Sequence, residues 1–172
     1  NDSTKLLIAQ AVDSLNAVYD ALYILRGEML RLASLLPEFD VVMEMQGAGD
    51  VTGPQLMAEI GDVRRFTHKG ALVAFAGMDA PPFQSGTFDS KSRRISKRGS
   101  PHLRKTLLMV ASTILQHSAP DNPIFQFMDK KRAEGKHFYV YMVASAAKFL
   151  RTYYARVNAH LAMLDSGANT AA

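Results

Sequence analysis

The chain has 172 residues, 48% of them hydrophobic and 21% charged, enough for one substantial core or a small domain with a helical extension. Formal net charge is only +4, so a strongly basic surface has to arise from local clustering. The absence of cysteine excludes a disulfide scaffold, a Cys-ligated zinc site and a thiol nucleophile. No apolar run approaches the roughly 20 residues of a membrane span, and no basic segment followed by an apolar stretch marks a secretory signal at the N-terminus. The chain begins at Asn1 without an initiator methionine and is deep in a helical pattern by Lys5, which reads as part of a longer protein.

Residues 4–36 carry the clearest periodicity. Ile8, Ala11, Leu15, Val18, Leu22, Leu25, Met29, Leu32 and Leu36 alternate spacings of three and four, an a/d seam widened by Leu7, Val12, Tyr19 and Ile24. Asp2 or Ser3 is the expected N-cap and Pro37 the expected stop. The pattern predicts a coiled coil joining two or more chains, or else a long helix packed on its own domain. Next, residues 41–62 (VVMEMQGAGDVTGPQLMAEIGD) predict a helical hairpin turning at Gly47-Ala48-Gly49, with Asp50 capping the second helix and Pro54 in its first turn. Paired glycines can bring backbone N–H groups close to a phosphate, as in helix-hairpin-helix DNA binders, or can simply connect two helices.

Thr67 is a candidate cap for an apolar helix over Ala71–Ala76 that ends at Gly77. The segment Pro81-Pro82-Phe83-Gln84-Ser85-Gly86 follows, an extended entry into a glycine-freed turn. From Thr87 to Ile95 the pattern allows a short β-ribbon or an irregular arm. Ser100 and Pro101 form an N-cap and first-turn pair for a helix through His117, which Pro120 and Pro123 break. Two further helices are expected, at about 124–134 and 138–164, and the small polar tail is expected to fray.

Between Pro81 and Lys105 lie seven cations, Lys91, Arg93, Arg94, Lys97, Arg98, Arg104 and Lys105, and no Asp or Glu occurs between Ser90 and Pro120. A solvated arm is the ordinary reading of a charge run, but one lacking any local counter-charge suits a polyphosphate backbone. Neutralising about six phosphates would make log K fall with log salt at a slope of about −5. Five serines share this region: Ser85, Ser90, Ser92, Ser96 and Ser100. Ser100 reads as a cap, Ser96 as a phosphate contact or a solvent-facing hydroxyl, and Ser90 and Ser92 as part of a basic arm. On spacing alone Ser85 is a turn-forming serine. Its basic neighbours add a chemical reading, since Arg and Lys can stabilise charge on a pentacovalent phosphoryl transition state and activate a hydroxyl. The five histidines stand at no ligand spacing, and Asp79, Asp89 and Asp121 fall on separate loops. Phe138, Tyr139, Tyr141, Phe149, Tyr153 and Tyr154 recur near helical spacing and read as core with one tyrosine edge exposed.

Taken together, GAGDVTGPQLMAEIGDVRRF, ALVAFAGMDAPPFQSG and ISKRGSPHLRKTLLMVA resemble the C-terminal half of the DEDD-type transposases and recombinases of bridge-RNA-guided insertion sequences, a family that includes the pilin-segment invertases. The likeness spans about residues 41–120. It lies in the succession of hairpin glycines, E-I-G-D-x-x-x-F, G-x-x-x-x-P, S-G and I-S-K-x-G-x-x-x-L-R. Asp50 and Thr87 depart from it, standing where proline and a second glycine are frequent.

The resemblance implies a catalytic serine at Ser85 with Gly86 and Gly99 supporting its loop, and contacts to DNA or guide RNA, or loop support, from Lys97, Gly99 and Arg104. It implies no cofactor within this chain. Magnesium is expected in an RNase H-like domain with four acidic residues preceding Asn1. The expected architecture is mainly α: a coiled-coil oligomerisation helix (1–37), a helix-hairpin-helix-like element (38–62), a serine-containing transposase domain (63–165) and a flexible tail (166–172). The expected function is DNA strand cleavage and transfer through a serine nucleophile acting with the upstream domain. The alternative is a non-catalytic DNA- or RNA-binding and oligomerisation module. Expected partners are DNA, a guide RNA and further copies of the chain through residues 4–36, with no membrane, in a bacterial cytoplasm or on its nucleoid. Alone, the chain is expected to bind nucleic acid and self-associate without recombining DNA.

Overall fold

The heptad segment folds as one helix, α1 (Asp2–Ala33), in a computed structural model that describes residues 1–81, 84–85, 88–89 and 94–170. At 1.5 Å per residue α1 is about 48 Å long. Residues 1–28 are exposed throughout, so the helix projects from the domain and touches it near its C-terminal end, where Ala33 is buried and α1 meets α3. The seam predicted from spacing is therefore open: Ile8, Leu15, Val18 and Leu25 each keep more than half of their surface, at 59%, 54%, 56% and 60%. Two details differ from the sequence expectation. Asn1, not Asp2 or Ser3, caps the helix, its side chain accepting from Ser3 N at 3.3 Å. The helix also ends at Ala33, before Pro37, because turn hydrogen bonds from Leu35 N and Leu36 N to the carbonyls of Leu32 and Ala33 tighten the chain first.

Helices α2 (Phe39–Met43), α3 (Thr52–Ile60), α4 (Lys69–Phe75), α5 (Pro101–His117), α6 (Pro123–Ala133) and α7 (Phe138–Thr170) complete the helical set, with a 3-10 turn at Val63–Arg65. A two-stranded antiparallel ribbon, β1 (Gln84–Ser85) and β2 (Phe88–Asp89), interrupts them. The core is organised around α5 and α7. Leu103, Leu107, Val110, Ala111 and Ile114 on α5 and Met142, Ala146, Phe149, Leu150, Tyr153, Val157 and Leu161 on α7 are buried at the three- and four-residue spacing of a helical stripe. Leu56, Met57 and Ile60 of α3 and Leu72 and Val73 of α4 close over them. Each fully buried Leu, Ile or Met contributes about 1.5–3 kcal/mol, so these two stripes hold the domain together. No helix is long and apolar enough to cross a membrane among the described residues.

The hairpin between α2 and α3 is turned inward. Gly47 has φ +91°, and a Cβ there would come within 2.8 Å of Ile114 and 2.9 Å of Val110 on α5. Its glycine is thus required both by backbone conformation and by close packing. Asp50 does not cap α3. Instead Thr52 Oγ accepts from Gly49 N and donates to the Gly47 carbonyl, both at 3.0 Å, closing the turn without a carboxylate. The E-I-G-D-x-x-x-F stretch is likewise a corner. Gly61, at φ +63°, ends α3, and Asp62 caps the 3-10 turn by accepting from Arg64 N at 2.9 Å. The Arg64 guanidinium donates to Asp62 and holds its carboxyl below the usual range. Arg65 lies over Phe66 and Phe75 at 4.5 and 4.6 Å while donating to the Ile60 carbonyl. His68, rather than Thr67, caps α4, its Nδ1 accepting from Gly70 N and Ala71 N at 3.1 and 3.2 Å.

Tyr141, Phe149 and Tyr153 are buried as the aromatic pattern suggested, but Phe138 and Tyr139 are not: 45% and 68% of their surface is exposed at the start of α7. That helix also runs to Thr170, beyond the expected end near Leu164. The Tyr153 hydroxyl is fully buried with no hydrogen-bond partner among the described residues. Burial, and to a lesser degree the nearby Glu38 charge, pushes its pKa far above the ordinary tyrosine value. The folded state thus keeps its proton where the unfolded state loses it. The contribution to stability is intact below about pH 10 and falls by about 1.4 kcal/mol per pH unit as pH rises from there toward the folded value. Tyr153→Phe should leave neutral-pH stability unchanged or raised by about 1 kcal/mol, because an unpaired buried hydroxyl disappears. It should also flatten the alkaline fall, read by urea denaturation at pH 7 to 11.

Candidate nucleic-acid interface

The segment 94–100 is built into the C-terminal end of α4. Ser96 N donates to the Asp79 carbonyl at 2.8 Å, Lys97 N to the Gly77 carbonyl at 3.0 Å, and Ser100 N to the Phe75 carbonyl at 2.8 Å. The Ser96 hydroxyl also donates to the Asp79 carboxylate. Lys97 adopts φ +54°, a left-handed conformation that turns the chain between these anchors. Gly99 sits so close to α4 that a Cβ would fall 2.0 Å from the Phe75 carbonyl oxygen and 2.4 Å from Gly77 N. Gly77, at φ +64°, faces the same contact from the other side.

These bonds make a stem. Asp79 and Ser96 hold together the two ends of the segment between them, which contains Ser85. Gly99, expected from the resemblance to support the Ser85 loop or to contact nucleic acid, packs within this stem. Ser96, open between two readings from sequence, is a stem residue. Ser100 does cap α5, accepting from Leu103 N at 3.1 Å while donating to Glu59 on α3 at 3.1 Å, which ties α3, α5 and the stem at one point.

Ser85 lies in β1, paired with Phe88 of β2, and Gln84 pairs with Asp89, so only Gly86 and Thr87 intervene in sequence between the paired residues. The ribbon thus begins before the Thr87–Ile95 span expected for it. Gly86, Lys91 and Arg93, along with Ser90 and Ser92, lie outside the described residues.

The remaining basic residues divide by structural role. Arg94, Lys97, Arg98 and Lys105 are exposed, and none pairs with a carboxylate among the described residues. Arg104 is half-buried and donates through Nη1 to the Ala76 carbonyl at 2.9 Å, satisfying the end of α4. Its guanidinium also abuts Gly77. Arg104 and Lys105 line a shallow groove of about 450 Å³ along α5 with Pro101, Leu108, Met109 and Ser112. A second groove of about 330 Å³, lined by Arg26 of α1, Gln55 and Glu59 of α3 and His102 of α5, shares Lys105 and Met109 with the first. Lys105 therefore stands between two troughs beside the stem.

Other candidates for chemistry are engaged elsewhere. The buried Tyr153 phenol is the opposite of an activated nucleophile. His68 caps α4, and His160 makes a 2.9 Å hydrogen bond with the Pro37 carbonyl. No three His, Asp or Glu side chains converge as a metal site among the described residues. Sequence spacing missed the stem because its partners, Phe75 to Asp79 and Ser96 to Arg104, meet only through tertiary contact. The signal available in sequence was the pair of glycines at 77 and 99.

Comparison with known proteins converges on one family. A model described as the transposase family of IS116, IS110 and IS902 matches residues 40–126. A relative named as a putative transposase, y4rJ of Sinorhizobium fredii (strain NBRC 101917 / NGR234), is 32% identical over 89 residues, covering 52% of this chain. The match takes in 19% of that relative, so the chain corresponds to about a fifth of its length.

The two kinds of arginine should separate in experiment. Arg104→Ala removes a charged hydrogen bond to a helix-end carbonyl and should cost about 1.5–3 kcal/mol in urea denaturation. Arg98→Ala, exposed and unpaired, should stay within about 0.5 kcal/mol.

Proposed function

The chain belongs to the IS116/IS110/IS902 transposase family, and from that premise we propose that it is the serine-bearing, DNA-handling part of a transposase whose strand-transfer chemistry requires a further acidic domain. The observation that carries this reading is the stem: a backbone and side-chain clamp at Asp79–Ser96 closing a segment that contains Ser85, beside exposed cations with no carboxylate partner among the described residues. A nucleophile needs to be held, and a strand needs counter-charge next to it.

In this reading Ser85 Oγ forms a bond to phosphorus of a DNA phosphodiester as one phosphorus–oxygen bond to the flanking sugars breaks. Its hydroxyl proton passes to water, and the departing sugar oxygen takes one up. The product is a transient phosphoserine, with one phosphodiester exchanged for another. Lys91, Arg93, Arg94, Lys97, Arg98 and Lys105 offset the charge that builds on the phosphoryl oxygens and hold the strand in register. Gly86 gives the turn after Ser85 its freedom. Arg104 and Gly99 act through the stem, as positioning residues. Magnesium, expected from the resemblance, would belong to the upstream acidic domain. The described residues here offer no ligand set for it, and the steps assigned to this chain use none. A guide RNA would meet the same basic surface.

Self-association completes the proposal. The exposed seam of α1 supports it, since an apolar stripe that long is covered in solution by a like helix. The domain limits follow: residues 1–37 join copies, 38–62 seat the hairpin against α5, and 63–165 carry the serine, with α7 continuing to Thr170.

In the intact transposase, Ser85→Ala should reduce recombination by roughly 10³-fold or more while DNA binding persists. Recombination surviving that change would leave a binding and oligomerisation module as the better reading. For α1, the chain should sediment as a dimer or larger species at micromolar concentration, and Leu15→Lys with Leu22→Lys should return it to a monomer. A monomeric mass for the unsubstituted chain would remove the coiled coil.

A further inference from the structure

A second basic surface, which the functional reading does not use, lies at the corner between α6 and α7. Lys130, Lys131 and Arg132 end α6, and Lys136 and His137 lead into α7. Arg132 is paired with Asp129 at 2.6 Å and Lys131 with Glu134 at 2.7 Å. Glu134 is the acid at the centre of this cluster. Its carboxyl is held below the usual range chiefly by the Lys131 hydrogen bond and also by the charges of Lys130 and Lys136. Those two lysines have no carboxylate partner of their own among the described residues.

Aromatic residues follow this charge directly in sequence, Phe138 and Tyr139 coming after Lys136 and His137. Tyr139 is 68% exposed and Phe138 45% exposed, where sequence periodicity suggests a core with one tyrosine edge exposed. The His137 ring stacks on Tyr139 at 5.7 Å with an interplanar angle of 29°, and Phe138 meets Tyr139 edge-on at 5.3 Å. Tyr139 is thus a braced, outward ring rather than a loose one. The next turn is anchored, since Tyr141 is buried and meets Phe138 at 5.4 Å.

Lysines without carboxylate partners among the described residues, at the same helix corner as a braced, exposed ring, match the chemistry of an unpaired nucleotide: phosphate on the cations, base on the ring face. A duplex hides its base faces and could use only the charge. A protein partner would better suit an apolar patch without surplus cations. We infer that the α6–α7 corner, through Tyr139 with Lys130 and Lys136, is a stacking site for single-stranded nucleic acid, separate from the stem. The separation is set by α5. Tyr141 shares a small pocket with Leu115 near the end of that helix, whereas Arg104 lies near its start, and the 17-residue helix is about 25 Å long. One strand passing both surfaces would be held at two points along the domain. This inference rests on the reading of the chain as a nucleic-acid-handling protein.

The chain has no tryptophan, so Tyr139→Trp introduces a single reporter at the corner. Titration of the full chain carrying it with 20-nucleotide single-stranded DNA, the matching RNA and a blunt duplex is expected to quench emission with the single strands and much less with the duplex. The DNA and RNA arms identify which strand the site prefers. Tyr139→Ala should weaken single-strand binding about five-fold or more with an unchanged salt slope. Lys130→Ala with Lys136→Ala should instead lower the slope by about 1.4, as expected when two phosphates are no longer neutralised. Single-strand binding with a steep salt slope but no quenching, and no effect of Tyr139→Ala, would overturn the corner while leaving the stem surface intact. Absence of any binding by the unsubstituted chain would overturn the nucleic-acid reading and this inference with it. A Tyr139→Ala chain that binds strands normally but loses self-association would mark the corner as a protein contact and overturn it as well.

Discussion

The approach of Gly99 to the end of α4 is the contact on which the rest of the domain depends. With a Cβ excluded by the Phe75 carbonyl at 2.0 Å, backbone lies directly on backbone, and three hydrogen bonds from Ser96, Lys97 and Ser100 can form. Because Ser100 is also the cap of α5, the same contact sets where the central helix begins and hence the register of its buried stripe. Arg104, one turn on, ties that helix back to Ala76. Close packing of main chain brings together the two ends of the segment that contains Ser85.

Around that clamp the domain combines a rigid centre with open projections. Helices α5 and α7 bury long apolar stripes against α3 and α4, while α1 leaves its own stripe in solvent over residues 1–28. Such a division has a physical logic. A stripe at spacings of three and four across nine positions is too long for a domain of this size to cover, whereas a second helix of the same kind matches it along its length. The core stripes are buried within the chain, whereas the seam of α1 stays open to solvent.

Charge is divided in a similar way. Arg65 is engaged by two phenylalanine rings and a helix-end carbonyl, and Arg104 by another carbonyl, so both are architecture. Arg94, Lys97, Arg98 and Lys105 stay exposed beside the stem, without carboxylate partners among the described residues, and Lys130 and Lys136 lack such partners at the far corner. A net charge of +4 conceals this arrangement, since acids elsewhere balance the sum without neutralising either surface.

Sequence alone determined the helical character, the long heptad helix, the Ser100–Pro101 start of α5 and the clustering of cations near Ser85. These follow from local rules: periodicity, capping and the lack of acids between Ser90 and Pro120. It also marked Gly47 and Gly99 as special, without saying why. Tertiary structure decided their purpose, because a glycine needed for close approach looks the same in sequence as one needed for a turn or a phosphate. Gly47 faces Val110 and Ile114, and Gly99 faces Phe75, residues more than twenty positions away. For the same reason Arg104 could not be told from Arg98, nor Tyr139 from Tyr153. Spacing reports which residues share a helical face, but only packing decides whether that face meets the core, a neighbouring carbonyl or solvent.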